Sequence, residues 1–474
     1  MNRFLVAATL IFALLGSVSF AAPAKKKPVV KKKTTAVKRP VKKYAKKSTR
    51  RRPVVARAAP VAPQVRQAAS SAVSEWLNQP GTIENPAALV PFLEQLYRLE
   101  SGTGNGVLRV LHYGDSHTAS DDWSGTTRYL MQARFGDGGP GFTHAGRPYL
   151  GYRRLDVKSW STSAWYTDGL VGRDGDGMYG LSGISMSTKR AGESVTLQAD
   201  CASAELHFLR QPAGGLVEIF DNGVVVDTIS TAGEPGAGVH PLRLQPGMHQ
   251  LAARTRGGGQ VRLFGWVTEN GRGLTYDMLG MNGAQASIGL KWEETVLGDY
   301  YRRRPPGLII LAYGTNEARN KDWTHESYRD MFVQLLARFR RLAPTSSILV
   351  IGPPDHFYRY STGMASHQKI DLILEAQREA AHASGVAFWD LRERMGGKGA
   401  MGRWVAAGMA QGDYVHFTGE GYRLLGAALY KELMGQYATY VRVRNEAIPA
   451  QTAQDTSVIP TAAKIINGQT NENQ

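Results

Sequence analysis

The sequence is poor in cysteine and, beyond its first residues, in long apolar runs. Cys201 is the single cysteine among 474 residues, which excludes a disulfide framework and any metal site built from several cysteines. After residue 21 no stretch reaches the roughly 18 consecutive apolar residues that a membrane-spanning helix needs. The composition, with 42% hydrophobic and 20% charged residues, is typical of globular domains, and the length predicts two or three of them.

Acidic residues are outnumbered, but the basic excess is confined to one short segment. The chain has 57 Lys and Arg against 40 Asp and Glu, a formal charge of +17. Residues 25–57 contain 16 of the basic residues and no acidic one, and Arg3 adds another. Residues 58–474 are therefore formally neutral. Because a folded part without a basic patch is a poor match for nucleic acid, we expect no nucleic-acid partner.

The first 21 residues have the pattern of a secretory signal peptide. Arg3 gives a positive start, residues 4–15 are almost entirely apolar, and Ser19 and Ala21 are small residues before a cleavage site. An uncleaved membrane anchor is the alternative. An exported protein with one cysteine fits a bacterial periplasm or cell wall, which is the predicted location.

Both ends of the mature chain are predicted to be disordered. Residues 22–75 form a basic arm in which Lys and Arg clusters alternate with Pro, Ala and Val, so the segment repels itself and has little apolar surface to bury. The arm either tethers the protein to an anionic wall polymer or lipid head groups, or is a solvated linker without a specific partner. Residues 447–474 are polar and rich in Gln, Asn and Thr.

The remaining patterns predict an α/β fold that is interrupted by an all-β insertion. Apolar strands alternate with amphipathic helices over residues 76–150 and again over 273–446, which favours a parallel sheet covered by helices on both faces. Residues 151–272 contain short alternating runs separated by turns such as Asp221-Asn222-Gly223, which predict a β-sandwich. The expected architecture is a three-layer α/β/α domain, of flavodoxin-like type, with an inserted sandwich.

Polar residues follow three of the predicted strands and precede the last helix. In a doubly wound sheet, ligands bind outside the carboxyl ends of the strands, so these residues are expected to meet in one crevice. The four segments are Gly114-Asp115-Ser116-His117, Asn282-Gly283-Ala284, Gly314-Thr315-Asn316-Glu317 and Asp413-Tyr414-Val415-His416.

These residue types suit nucleophilic catalysis. The Ser116 hydroxyl needs a base to take its proton, and His416 can do so near neutral pH. Asp413, three residues earlier in the same loop, can fix the tautomer of that imidazole. The backbone N–H groups of Ser116 and Gly283 and the side-chain amide of Asn316 are candidate donors to an oxyanion, each worth roughly 100- to 1000-fold in rate.

Structural interpretations of the same residues stay open at this point. Ser116 can cap a helix, Gly283 can be a turn glycine, and Asp413 can cap the helix that follows it. The neighbouring Asp355 and His356 compete for the acid–base role.

Other residues also carry alternatives. His117 either touches a substrate or packs behind Ser116. The aromatic residues Trp160, Trp165 and Tyr166 either stack on sugar rings or pack in a core. Cys201 is expected to be buried and inert.

The four segments resemble the motif blocks of the SGNH (GDSL-type) hydrolases, in the order of that family. By this resemblance Ser116 is the nucleophile, His416 the base and Asp413 the residue that orients the base. Gly283 and Asn316 join the Ser116 backbone in the oxyanion hole. The family needs no metal or other cofactor for this chemistry.

The resemblance covers about residues 110–150 and 273–440. Three features narrow the resemblance to the periplasmic peptidoglycan O-acetylesterases, which carry an insert like a carbohydrate-binding module. They are the sequence Gly-Thr-Asn-Glu-Ala at 314–318, His117 in place of Leu, and the β-rich insertion before Gly283. The resemblance implies a serine esterase that removes O-acetyl groups from O-acetylated peptidoglycan or another envelope glycan.

Three other functions share these features. An O-acetyltransferase would form the same acetyl-enzyme and pass the acetyl group to a sugar hydroxyl. A general lipase or esterase would use the same site on lipid or small soluble esters, and a non-catalytic cell-wall-binding protein would keep it as a remnant. Glu317 stands where many members of the family have Asp, which removes nothing from the expected oxyanion hole.

Deleting residues 25–57 should separate tethering from chemistry. We expect weaker retention on isolated cell wall at low salt, a difference that disappears as salt screens the charges, and unchanged turnover of a small acetyl ester. Cosedimentation with wall at two salt concentrations measures the retention. Equal retention of both proteins at low salt would make the arm a linker.

Overall fold

Six strands form the central sheet of the computed structural model, which describes residues 61–79, 83–173 and 175–455. Side chains are described as far as residue 446. The predicted signal peptide, residues 1–21, and the predicted arm as far as residue 60 lie outside the described residues, as does the tail beyond 455.

Strands and helices alternate along most of the described chain. The helices α1 to α11 are Pro63–Asn78, Val90–Glu100, Ser116–Ala119, Asp122–Phe135, Glu294–Arg303, Thr315–Ala318, His325–Leu342, Lys369–Ala383, Leu391–Arg394, Ala400–Ala406 and Gly419–Asp455. Two 3-10 helices cover Pro86–Leu89 and Ala286–Leu290. The strands β1 to β17 are Ile83–Glu84, Val107–Gly114, Gly141–His144, Lys158–Ser161, Tyr166–Asp168, Ser185–Thr188, Ser194–Arg210, Leu216–Asp221, Val224–Ser230, Gly236–Gly257, Val261–Glu269, Gly273–Gly280, Leu308–Ala312, Ser347–Ile351, Phe357–Tyr360, Gly363–Ser366 and Ala387–Trp389. Within the described part of the chain, no helix is both long and apolar enough to cross a membrane.

The central sheet has the strand order β1-β17-β14-β13-β2-β12. Every neighbouring pair is parallel except β1 with β17, which is antiparallel. The sheet is therefore mixed, which corrects the predicted all-parallel sheet. Strand β1 is two residues long, so it is too short to be predicted from an alternating pattern of apolar residues.

The inner strands are apolar on both faces because helices cover both. In β13, Leu308 and Ile310 pack in one core with α2, α4, α10 and α11, while Ile309 and Leu311 pack in the other with α5, α7 and α8. Burial on both faces explains the near-continuous apolar runs from which a parallel sheet was predicted. The predicted three layers are present in this part of the fold.

The β-rich segment, residues 141–269, forms one hydrogen-bonded antiparallel sheet of nine strands, β3 to β11. We call it the β insert. The long strands β7 and β10 pair along their whole length, with an irregularity between Arg243 and Gly247 where the register shifts. Phe142 and Val267 belong to the core beneath α5 and α7. The structure thus does not show the separate sandwich domain predicted for residues 151–272. The sheet begins earlier, and although most of its buried residues, Val195 and Trp266 among them, form a core of their own, Phe142 and Val267 pack in the core of the α/β part.

Two predicted disordered segments contain helix where the structure describes them. Helix α1 occupies residues 63–75 of the predicted arm, and it buries Ala69 and Val73 in the core that also contains residues of α10. Helix α11 continues to Asp455, nine residues into the predicted tail. Polar composition concealed both elements, and α1 docks through only a narrow apolar stripe.

The buried carboxylate of Asp121 joins α4 to the β insert. It accepts hydrogen bonds from Arg128 at 2.9 and 3.1 Å, from the Ser124 hydroxyl at 2.9 Å and from the Leu155 N–H at 2.7 Å. Its backbone φ of 55° lies in the left-handed region that Asp tolerates better than most residues.

Replacing Asp121 with alanine should leave Arg128 with one of its carboxylate partners missing in the interior. We expect Asp121→Ala to lower the free energy of unfolding by about 3–5 kcal/mol, the usual cost of breaking a buried pair. Urea denaturation followed by tryptophan fluorescence measures it. Asp330→Ala, which removes an exposed partner of Arg329, is the control and should leave the midpoint unchanged. Equal midpoints for both variants would contradict the role of Asp121.

Candidate active site

Three neighbouring strands end at the same level, which brings their following loops together. In the order β13-β2-β12, Gly114 is aligned with Ala312 on one side and with Gly280 on the other. Ser116 follows β2 by two residues, and Gly283 and Asn316 follow the strands on either side. This register places the three segments together at the carboxyl edge of the sheet, as expected.

Ser116, His416 and Asp413 form a continuous hydrogen-bonded chain. The Ser116 Oγ lies 3.0 Å from His416 Nε2, although the residues are 300 positions apart. On the far side of the ring, His416 Nδ1 lies 2.7 Å from Asp413 Oδ2. An ionised carboxylate can only accept, so Nδ1 carries the proton and Nε2 is left to accept the serine hydroxyl.

The Asp413 carboxylate is held in its ionised form. Burial disfavours the charge, but hydrogen bonds from the His416 side chain and from the backbone N–H groups of His416 and Val415 lower the pKa of Asp413 to about 2. These N–H groups lie 3.0 and 2.9 Å from Asp413 Oδ1. One short turn therefore sets both the position and the charge of this residue.

The turn between Asp413 and His416 is strained and braced. Tyr414 has φ of 58°, a conformation that is uncommon for a bulky residue and costs energy. Its ring stacks on Phe357 with centroids 5.4 Å apart and planes at 10°, and its carbonyl accepts the Phe357 N–H at 2.9 Å. The hairpin of β15 and β16, which the sequence did not predict, thus supports the His416 loop.

Ser116 begins the short helix α3, directly behind β2. The Asp115 carboxylate accepts the His117 N–H at 2.9 Å and so caps this turn. Burial raises the pKa of Asp115 to about 6, against the effect of that hydrogen bond. The capping role proposed as an alternative for Ser116 belongs to Asp115, which leaves the serine hydroxyl directed at His416.

Gly283 and Asn316 lie on the two loops that flank Ser116. Gly283 is exposed, and a Cβ there would meet only Val171 Cγ1, at 3.9 Å, so space alone does not require glycine. Its φ of 77° lies in the left-handed region, and this backbone conformation is what favours glycine. The Asn316 amide donates to the Ala284 carbonyl at 2.9 Å and lies 3.5 Å from Asp115 Oδ2. Its amide group therefore bridges the loops on either side of Ser116.

Glu317 joins those two loops and was missed as a site residue. Its carboxylate accepts the Ala286 N–H at 2.7 Å, the Gly314 N–H at 3.0 Å and the Tyr328 hydroxyl at 3.3 Å. Burial raises the pKa of Glu317 to about 7. Its position directly after Asn316 was noted in the sequence, but nothing there indicated that it reaches Ala286.

The rival pair does not form a dyad. Asp355 is bonded to Arg392 at 3.2 Å and to the Met401 N–H at 3.0 Å, and both ring nitrogens of His356 are buried without a partner among the described residues. His117 is buried, with Nδ1 3.0 Å from the Tyr422 hydroxyl, which favours packing behind Ser116 over contact with a substrate.

The aromatic residues of the β insert are divided between surface and interior. Trp160 and Tyr166 are exposed by 42% and 55%, whereas Trp165 is partly buried and donates its indole N–H to the Ser194 carbonyl at 3.2 Å. Cys201 is fully buried, and burial raises the pKa of its thiol to about 12, in agreement with an inert residue.

A cavity of about 180 Å³ opens beside Gly283. One wall is the β-insert loop that contains Val171 and Arg173, and the other contains Gln285 and Ile288 of the α/β part. The β insert therefore contributes to the surroundings of the candidate site.

Residues 231–424 match the GDSL-like Lipase/Acylhydrolase family. This range contains Gly283, Asn316, Asp413 and His416 but begins after Ser116. No curated protein matches the sequence.

Among solved structures, the chain is similar to a peptidoglycan O-acetylesterase. The identity is 27%, over 74% of this chain and 96% of the other, with a TM-score of 0.64. Two family two carbohydrate esterases resemble it only weakly: one from Cellvibrio japonicus (10% identity, 60% and 99% coverage, TM-score 0.27) and one from Clostridium thermocellum in complex with cellohexaose (13%, 54% and 95%, 0.28). The family and the first structure confirm the resemblance to SGNH (GDSL-type) hydrolases, so an ester is the bond to test.

Replacing Glu317 with glutamine should weaken the connection between the flanking loops. The amide offers one acceptor oxygen where the carboxylate offers two, so either the Ala286 or the Gly314 N–H loses its partner. We expect kcat for a small acetyl ester to fall about 10- to 100-fold, part of the contribution of one oxyanion donor, with little change in KM.

The exposed Glu326→Gln on α7 is the matched control, and thermal unfolding shows whether each variant is folded. A folded Glu317→Gln protein with wild-type kcat would show that the oxyanion donors do not depend on this carboxylate.

Proposed function

We propose that this chain, an esterase with a GDSL-like lipase/acylhydrolase domain, is exported and removes O-acetyl groups from an envelope glycan, with peptidoglycan as the leading substrate. The observation that carries the proposal is the contact chain from Ser116 Oγ through His416 to Asp413, with distances of 3.0 and 2.7 Å. This is the arrangement that converts a serine hydroxyl into a nucleophile.

In the first step Ser116 Oγ attacks the carbonyl carbon of the acetyl ester, and its proton moves to His416 Nε2. Asp413 stabilises the imidazolium through Nδ1 and remains ionised, in keeping with its lowered pKa. The bond between the carbonyl carbon and the sugar oxygen then breaks. The sugar oxygen takes the proton from His416 and leaves as a hydroxyl, and the acetyl group stays on Ser116.

In the second step water attacks the acetyl carbonyl while His416 Nε2 takes one of its protons. The bond to Ser116 Oγ breaks, the serine regains that proton, and acetic acid leaves and ionises to acetate in water. Both steps place negative charge on the carbonyl oxygen. The N–H groups of Ser116 and Gly283 and the Asn316 amide are the proposed donors to it, and the bond from Asn316 to Ala284 holds that amide beside Gly283.

The substrate is inferred from likeness and from the surroundings of the site. The similar solved structure is of a peptidoglycan O-acetylesterase, and the signal-like first 21 residues would bring this chain to the same polymer. Residues of the β insert line the cavity beside Gly283, which supports a contribution of the insert to glycan binding.

Acetate release from O-acetylated peptidoglycan tests the proposal. We expect Ser116→Ala to abolish release, because no nucleophile remains. Asp413→Asn should fold but lose roughly 1,000- to 10,000-fold in kcat, because Asn no longer enforces the tautomer. The matched controls are Ser101→Ala and Asp322→Asn at exposed positions, which should retain wild-type turnover.

Circular dichroism shows that each variant is folded, and de-O-acetylated peptidoglycan gives the background. Acetate release by Ser116→Ala at the wild-type rate would refute the proposed nucleophile. Wall binding without acetate release by the wild type would favour the non-catalytic alternative, and transfer of acetyl to an added sugar would favour the acetyltransferase.

A further inference from the structure

A polar and aromatic cluster follows β14, on the side of the site opposite the Gly283 cavity. It consists of His356, Tyr358 and His367, which follow β14, together with Arg319, which follows α6, and we call it the β14 cluster. The rings of His356 and His367 have centroids 5.3 Å apart, and those of His367 and Tyr358 5.1 Å apart. The His367 N–H donates to the His356 carbonyl at 2.9 Å, which closes the base of the β15–β16 hairpin.

The fold places this cluster next to the catalytic groups. Strand β14 adjoins β13 and ends level with it, since Ile351 is aligned with Ala312. Arg319 directly follows α6, the helix that contains Asn316. The cluster therefore lies at the same carboxyl edge of the sheet as Ser116, one strand beyond the Asn316 loop.

His367 presents a hydrogen-bond donor that is not used by the described residues. Its Nδ1 accepts the Lys369 N–H at 3.2 Å, so the neutral ring carries its proton on Nε2. That N–H has no partner among residues 61–79, 83–173 and 175–446. The ring is partly exposed.

The charge around the cluster is positive and uncompensated. Arg319 is exposed and makes no ion pair within the described residues. After burial, the cations that lower the pKa of His367 are Arg319 and Lys369, and Arg319 acts in the same direction on His356. Asp355 is already paired with Arg392 at 3.2 Å, so it does not neutralise Arg319.

We propose that the β14 cluster is a subsite for a carboxylate of the glycan, carried either by a sugar itself or by the peptide attached to it. Arg319 and the Nε2–H of His367 bind the carboxylate, and the 44% exposed ring of Tyr358 packs against the pyranose. The inference rests on the proposed function and extends it, because it states which chemical feature of the glycan is recognised beside the ester. A small neutral acetyl ester does not reach this subsite.

The test compares three substrates for the full-length protein. They are O-acetylated peptidoglycan fragments, the same fragments with their carboxylates converted to amides, and 4-nitrophenyl acetate. We expect Arg319→Gln to lower kcat/KM on the native fragments about 10- to 100-fold, the usual value of a hydrogen bond to a charged group, and to leave the other two unchanged. The wild type should show the same loss when the fragments are amidated.

Arg302→Gln is the matched control. This arginine is 69% exposed in the last turn of α5, which leads into the amino end of β13, so its loss should change none of the three values. An amidase that removes the stem peptides frees the lactyl carboxyl, which the intact fragments hold in an amide bond to the peptide. A dependence on Arg319 that persists in the stripped fragments assigns the lactyl carboxylate, and a dependence that is lost assigns the peptide carboxylates.

Two results would overturn the subsite alone. The first is that Arg319→Gln has the same kcat/KM as the wild type on native fragments. The second is that Arg319→Gln lowers kcat/KM equally on all three substrates, which would indicate a structural role. Absence of acetate release by the wild type from both glycans, with turnover of 4-nitrophenyl acetate, would overturn the proposed function and the subsite with it.

Discussion

The parallel register of β13, β2 and β12 is the constraint on which the candidate site depends. Gly114 is aligned with both neighbouring strands, and a Cβ at this residue would lie 2.2 Å from Thr118 Oγ1 and 2.8 Å from the Ala312 carbonyl oxygen. Only glycine lets the chain turn there so closely beneath the next strand. A shift of one residue in any of the three strands would separate Ser116 from the loops that carry Gly283 and Asn316.

The loops around this edge are held by groups that cost folding energy. Asp115 and Glu317 are buried carboxyls whose pKa values burial raises to about 6 and 7. Since both values exceed those of the unfolded chain, these carboxyls favour folding at acid pH and oppose it as the pH rises through 6 and 7. Each is retained where its oxygens accept backbone N–H groups that shape the turns beside Ser116. Carboxyls with pKa values shifted in this way indicate positions where the geometry of the site matters more than the stability of the fold.

The sequence contained enough to predict the residues at strand ends but not those that act across loops. Ser116, Gly283 and Asn316 could be inferred, because apolar strands predict the sheet and these residues follow strands at its carboxyl edge. Asp413 and His416 precede the last helix and could be inferred from their residue types and spacing. Glu317 could not be assigned, since its partner Ala286 lies in another loop whose position depends on the tertiary fold. The 22-residue strand β10 is longer than the short runs predicted for this segment. Its prolines and glycines are typical of turns, and an alternating pattern does not reveal the irregularity near Gly247.

Charge is distributed unevenly between the arm and the folded part, and the two proposed interactions divide accordingly. The folded part has equal numbers of acidic and basic residues, so it exerts little net attraction on an anionic polymer at a distance. Attraction that acts over several ångströms and is screened by salt must then come from residues 25–57. Selection among sugars needs a cation close to the reacting ester, and Arg319 directly follows the helix that contains Asn316. The arm would raise the local concentration of glycan, whereas the β14 cluster would set which acetylated residue is aligned with Ser116.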